Sequence, residues 1–257
     1  MLIGALAAAA VCAAVSLAAQ DAGADLRVVT YNIRHGRGAD GLVDLERTAG
    51  VLQPLAPDIV ALQEVDDLVE RSGRIPETAR LGESLGLHHA FGRFMDYQGG
   101  AYGLAILSRH PIVATRSIRL PDGNEPRVAL SVDVRLPDGR TIAVVNVHFD
   151  WVRDDEFRFV QADRLARYLG GLTTPYILSG DFNDVPGSRT LALFESRATM
   201  ARKPEDNRFT FPAPEPAREI DFVFYAPATA FAAREVRVID ERVASDHRPV
   251  LAVLEVR

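Results

Sequence analysis

Asp181 and Asn183 stand two residues apart in "YILSGDFNDVPGS" (176–188), where an apolar run stops abruptly. Positions two apart on an extended backbone point the same way, so a carboxylate and an amide leave this strand side by side. Turn formation by Asp, Asn, Gly and Pro is one reading of the stretch; a metal or phosphate site is the other. The same juxtaposition recurs along the chain. Asn32 lies near the end of "LRVVTYNI" (26–33), and Glu64 follows "DIVALQ". Asn146, His148 and Asp150 close "TIAVVNVHFD", and Asp221 sits between Ile220 and Phe222. Asp246 and His247, in "SDHRPV", immediately precede the last apolar run. An acid flanked by apolar residues, as Asp221 is, needs a partner if it is buried.

Phosphoester hydrolysis is the chemistry that needs this set. A hard divalent cation takes oxygen ligands, usually one or two carboxylates plus waters and a substrate phosphate. Glu64 and Asp246 suit that task. An attacking water needs a positioned base, for which Asp181 and His247 are suited. Charge developing on the phosphoryl oxygens needs neutral or cationic donors; Asn183, Asn32, His148 and Arg127 are suited.

The elements that must hold these residues are mostly strands. Apolar runs at 26–33, 58–65, 102–108, 175–179, 219–226, 235–240 and 248–256 read as strands. Residues 127–149 read as a hairpin: Val128, Leu130, Val132, Val134 and Leu136 alternate, and Asp138-Gly139 supplies the turn. Helices are expected at 44–55 with Asp44 as N-cap, at 76–86, and at 155–169 with an apolar face of Phe157, Val160, Leu165 and Tyr168. The stretches "RSGRIPET" and "FMDYQGGAYG" read as short loops, Asp66 and Asp184 as solvated loop charges, and Asp150 as a cap for the helix beginning near Asp154. Strands outnumber helices, which favours two sheets packed face to face over a doubly wound parallel sheet.

Taken together, "TYNIR", "LQEV", "YGLAILSR", "NVHFD", "GDFND", "EIDFVF" and "SDHRPV" occur in the order seen in the endonuclease/exonuclease/phosphatase superfamily, which the chain resembles from about residue 26 to 256. The resemblance implies an α+β fold, a four-layer α/β/β/α sandwich of two mostly antiparallel sheets flanked by helices. It implies Mg²⁺-dependent hydrolysis, with Mn²⁺ as an alternative ion. Under it Glu64 is the principal metal ligand with Asn32 beside it, and Asp246 is a second carboxylate on the metal side. Asp181 orients or deprotonates the attacking water, Asn183 donates to the transition state, and Asp221 fixes the tautomer of His247. His148 contacts phosphate or protonates the leaving oxygen, and Arg127 and Tyr102 face the substrate phosphate. Many relatives carry Asn where this chain has Leu104.

Bulk properties bound what such a site serves. The first twenty residues carry no charged side chain and end in small residues, as a secretory signal does. Residues 1–24 are therefore expected to be a signal peptide and 25–257 a single domain, exported to the periplasm or beyond; a retained N-terminal anchor is the alternative. Cys12 is the only cysteine, so the expected mature chain excludes disulfides, thiolate metal sites and a cysteine nucleophile. With 29 basic against 35 acidic residues, the chain lacks the overall positive charge of a non-specific duplex-DNA binder. A small or lipid-linked phosphodiester, a membrane head group included, is the favoured substrate. A nuclease using Arg71, Arg74, Arg93, Arg109 and Arg127, and a phosphomonoesterase, are the alternatives. No protein partner is evident, and a non-catalytic binding module is disfavoured because the catalytic set is complete.

Overall fold

A computed structural model describes residues 25–257; the expected signal segment and Cys12 lie outside the described residues. Strands β1 (Asp25–Asn32), β2 (Ile59–Asp67), β3 (His88–Tyr97), β4 (Gly100–Ser108), β11 (Phe231–Val238) and β12 (Val250–Val256) form one sheet in the order β11-β12-β1-β2-β4-β3. The other sheet, in the order β5-β6-β7-β8-β10-β9, contains β5 (Ile112–Arg119), β6 (Val128–Arg135), β7 (Thr141–His148), β8 (Tyr176–Asp181), β9 (Thr199–Met200) and β10 (Asp221–Ala226). Helices α1 (Leu45–Leu52) and α2 (Glu77–Leu85) cover the first sheet, while α3 (Glu156–Gly170) and α4 (Arg189–Glu195) cover the second. This is the expected four-layer sandwich. Both sheets are mixed: β1 with β2 and β7 with β8 run parallel, joined by α1 and α3, and the remaining pairs are antiparallel.

The apolar runs are continuous because central strands bury both faces. On β1, Val28 enters the core between the sheets, whereas Val29 and Tyr31 pack under α1. The alternating residues of β6, from Val128 to Val134, together with Leu136, all belong to the inter-sheet core, as the hairpin pattern predicted. Asp44 caps α1, accepting from Arg47 N at 2.9 Å.

Several expectations are corrected. The stretch expected to be a loop around Phe94–Gly103 is the core of a hairpin: β3 and β4 join through Gln98 (φ 42°) and Gly99 (φ 79°), the left-handed pair of a tight hairpin turn. Helix α3 does not bury Phe157 or Val160, which are exposed; it buries Ala162, Leu165, Ala166 and Leu169 with two polar residues, Arg158 and Gln161. Asp150 does not cap α3. It is buried and accepts from Asn124 N at 2.7 Å and Val152 N at 3.1 Å, so it ties the loop before β6 to the chain after β7. Asp66 and Asp184 are not solvated: both are buried, paired with Arg71 and Arg158 respectively. Leu104 packs fully inside the inter-sheet core.

Beneath the site the sheets are joined by amides. Asn146 Nδ2 donates to Leu62 O (2.7 Å) and Ala105 O (2.9 Å), and Gln63 Nε2 donates to Asn146 Oδ1 (2.7 Å). A cluster of phenylalanines packs below the second sheet, with Phe182 at its centre: its ring centroid is 5.5 Å from those of Phe149, Phe194, Phe222 and Phe224. The residue between Asp181 and Asn183 is thus the anchor that pins their loop to the core. Gly180 just before it is held at φ 150°, where a Cβ would strike the carbonyl of Val147.

Candidate active site

Strand register assembles the centre. His148 on β7 lies opposite Asp181 on β8, and Asp181 lies opposite Asp221 on β10, so three neighbouring strands present one polar row at one rim. On the facing sheet, Asn32 pairs with Gln63 at the parallel ends of β1 and β2. There β2 bulges between Leu62 and Val65, and Glu64 takes a left-handed conformation (φ 57°) that frees its side chain from strand alternation. Glu64, His148 and Asp181 from these strand ends line one pocket of about 430 Å³.

Asp181 is the hub. Its Oδ2 accepts from Asn32 Nδ2 at 3.1 Å and lies 3.5 Å from Nε2 of both His148 and His247. Its Oδ1 accepts from Asn183 N at 2.9 Å. Asn183 (φ 51°) donates its own Nδ2 to Phe149 O at 3.0 Å and lines the pocket. His247 Nδ1 sits 3.0 and 3.2 Å from the two oxygens of Asp221, which leaves Nε2 facing Asp181. Phe211 packs on the His247 ring at 4.9 Å. Arg127 Nη1 is 3.3 Å from His148 Nδ1; since a guanidinium only donates, that nitrogen accepts and the His148 proton resides on Nε2, toward Asp181. Arg127 is itself buried, with Nη2 3.0 Å from Glu125.

The ionisation pattern follows from these contacts. Burial, reinforced by the charges of Arg127 and His247, keeps His148 well below its usual range and neutral. Burial opposes charge on His247 too, but Asp221 and Asp181 overcome it and raise its pKa to about 10. Burial raises Asp181, against the pull of His247. The pair of imidazoles is therefore split by environment into a neutral donor and a cation.

Glu64 and Asp246 form the second focus. Glu64 Oε1 accepts from Asn32 Nδ2 at 3.1 Å. Asp246 is bracketed by Ser245 Oγ (3.3 Å) and Arg34 Nε (3.5 Å), and Ser245 also donates to Asn32 O at 2.7 Å. Burial first, and then the charge of Asp246, raise the Glu64 pKa. Two carboxylates beside a carboxamide are the hard-oxygen donor set that fits a divalent cation. Tyr102 lines the same pocket, buried, its ring 5.7 Å from Phe94.

Every one of the ten residues singled out from sequence thus lies in or directly beneath one pocket. The proposed arginine groove does not form in the same way. Arg71 and Arg127 line the pocket, but Arg74, Arg93 and Arg109 pair with Glu70, Asp96 and Asp58 away from it. Sequence reading missed Glu125, Trp151, Phe211 and Arg218 as pocket residues, because they come from irregular segments with no periodic signal. His35, buried beside the site in "TYNIRH", was also missed; burial and then Arg71 lower its pKa to about 4.

The fold and this site define a class, and comparison with known proteins agrees. The model of the endonuclease/exonuclease/phosphatase family matches residues 29–247. The chain belongs to that family, and it is a metal-dependent hydrolase of phosphoester bonds. It is similar to the uncharacterized protein YbhP of Escherichia coli K12, 29% identical over 245 residues, covering 88% of this chain and 94% of the relative. An endonuclease/exonuclease/phosphatase structure from Beutenbergia cavernae is 27% identical with TM-score 0.72, covering 90% of this chain and 72% of that one. In fold alone it is also similar to the mannosyl-6-phosphatase Bt3783 of Bacteroides thetaiotaomicron, at 21% identity and TM-score 0.74, covering 89% and 99% of the two chains.

Proposed function

We propose that this protein is an exported, Mg²⁺-dependent phosphodiesterase acting on a small or lipid-linked phosphodiester. The observation that carries the reading is a pocket of about 430 Å³ lined by both the carboxylate focus and the histidine focus, which Asn32 joins by bonding Glu64 and Asp181. Glu64, Asp246 and Asn32 would hold the cation, which supplies Lewis-acid stabilisation of the phosphoryl oxygens. Asp181 takes up a proton from the attacking water, within reach of both imidazoles. His247, oriented by Asp221, places its Nε2 proton against developing negative charge. Neutral His148, Asn183 and Arg127 donate to the phosphate oxygens, and Tyr102 closes the wall beside them. A small substrate is favoured because Arg74, Arg93 and Arg109, which a nucleic-acid groove would have used, are instead paired with acids away from the pocket. Export is supported by the charge-free first twenty residues, which end in small residues as a secretory signal does; sequencing the N-terminus of the protein from fractionated cells tests it.

The substrate reading is tested by offering the purified protein supercoiled plasmid and bis(p-nitrophenyl) phosphate side by side in Mg²⁺. Diester turnover with intact plasmid is expected. Nicking of the plasmid, abolished by EDTA, would replace this reading with a nuclease; release of phosphate from p-nitrophenyl phosphate alone would replace it with a phosphomonoesterase.

A further inference from the structure

One arginine of the pocket is built for a task that hydrolysis of the scissile bond does not require. Arg71 comes from the short helical turn Glu70–Ser72 after β2, and its backbone N donates to Gln98 Oε1 at the tip of the β3–β4 hairpin (3.1 Å). Its Nε and Nη2 donate to the two oxygens of fully buried Asp66 at 2.9 and 2.8 Å. The guanidinium carbon also lies 4.6 Å from the Tyr97 ring and 5.0 Å from the Tyr102 ring. Its side chain is therefore fixed before any ligand arrives, which removes much of the ordering cost of binding.

A guanidinium has five N–H donors in a planar fork. Asp66 takes two of them through the Nε edge. Nη1 has no acceptor within hydrogen-bond distance among the described residues, and the side chain is 27% exposed where it lines the pocket. The open edge, one N–H from each Nη, matches a phosphate or carboxylate bidentately. Arg71 also shares an aromatic ladder with Arg127: Arg127 lies 5.0 Å over Phe94, Phe94 packs 5.7 Å from Tyr102, and Arg71 lies over the same Tyr102. Two guanidiniums thus face one pocket, two rings apart.

We propose that Arg71 forms a second oxyanion subsite, receiving a phosphate or carboxylate that the substrate carries beyond its scissile phosphate. This rests on the phosphoester reading above and narrows its substrate class to phosphoesters with a second anionic group. The test is calorimetric binding, in Mg²⁺, of alkyl phosphates of increasing length that end in a methyl, a carboxylate or a second phosphate. At one chain length an anionic end is expected to tighten binding by about ten- to a hundredfold, the range of one charge-assisted bidentate contact. Which anion gains more identifies the group. R71Q is expected to abolish the gain. R71K, which keeps a cation against Asp66 but loses the fork, is expected to lose most of it; Asp66→Asn with Arg71→Gln serves where R71Q alone leaves the buried carboxylate unpaired and the protein unfolded. No gain at any length, or a gain retained in R71Q, R71K and the double variant, would overturn the subsite. Failure of the methyl-ended phosphates to bind as well would overturn the phosphoester reading and the subsite with it.

Discussion

Asp221 contributes its charge and geometry without facing the phosphate. Both its oxygens face His247 Nδ1, so the imidazole has one available orientation and one protonation pattern. Asp221→Asn keeps the shape but presents either an amide donor or a neutral acceptor to Nδ1. We expect kcat to fall about 10²- to 10⁴-fold, the range for losing a general acid–base group, with little change in KM; steady-state kinetics on an aryl phosphodiester checks it. The sequence shows that an acid between Ile220 and Phe222 needs a partner if buried; that the partner is His247 is what the family resemblance implied. The pairings of Asp66 with Arg71 and of Asp184 with Arg158 were not. Asp184 stands among ordinary turn residues and Asp66 beside a second acid at the end of a strand, and the cation that accounts for the burial of each is brought to it only by the fold.

At the scale of elements, the loop after β8 depends on Phe182. Phe182→Ala empties the centre of the phenylalanine cluster, and a loss of about 3–5 kcal/mol of stability is expected from such a truncation. Urea denaturation measures it, and turnover should fall further than the folded fraction does, since Asp181 and Asn183 flank the cavity. Helix α2 carries a different liability. Glu77 at its start is buried, accepts from Asp66 N at 2.8 Å, and is pushed by burial up to about 8 from a usual value of 4.5. A carboxyl with a raised folded pKa binds more protons folded than unfolded, so its contribution is complete below about pH 4.5 and is lost as pH rises toward 8. Stability should therefore decline over that window by up to about 1.4 kcal/mol per pH unit from this group. Glu77→Gln, which can still accept from Asp66 N, should flatten the decline in thermal melts taken across the same pH range. The missed elements have physical causes. Strand β3 contains two histidines, Arg93 and Asp96, and as an edge strand it shows little apolar alternation. Helix α3 was recognised, but its buried face was misassigned because Arg158 and Gln161 turn inward to bond loop carbonyls and Asp150 N.

For the whole molecule, family membership fixes the class of reaction and the sandwich brings two sheet rims together, while loops and charge distribution decide what enters. Net charge is −6, and the arginines expected to form a groove outside the pocket are in ion pairs. Hydrolysis of a small diester should therefore depend only weakly on ionic strength. A nuclease tracking several phosphates would lose affinity steeply with salt, so kcat/KM measured from low to high NaCl separates the two.

The central claim is that the carboxylate and histidine foci form one metal-dependent hydrolytic centre. Its most direct test is the initial rate of bis(p-nitrophenyl) phosphate hydrolysis by the native protein, Glu64→Gln and His247→Ala, each with Mg²⁺ and with EDTA. The account predicts turnover by the native protein in Mg²⁺ alone, with both variants near background. Native turnover that survives EDTA, or a His247→Ala rate equal to the native one, would contradict it.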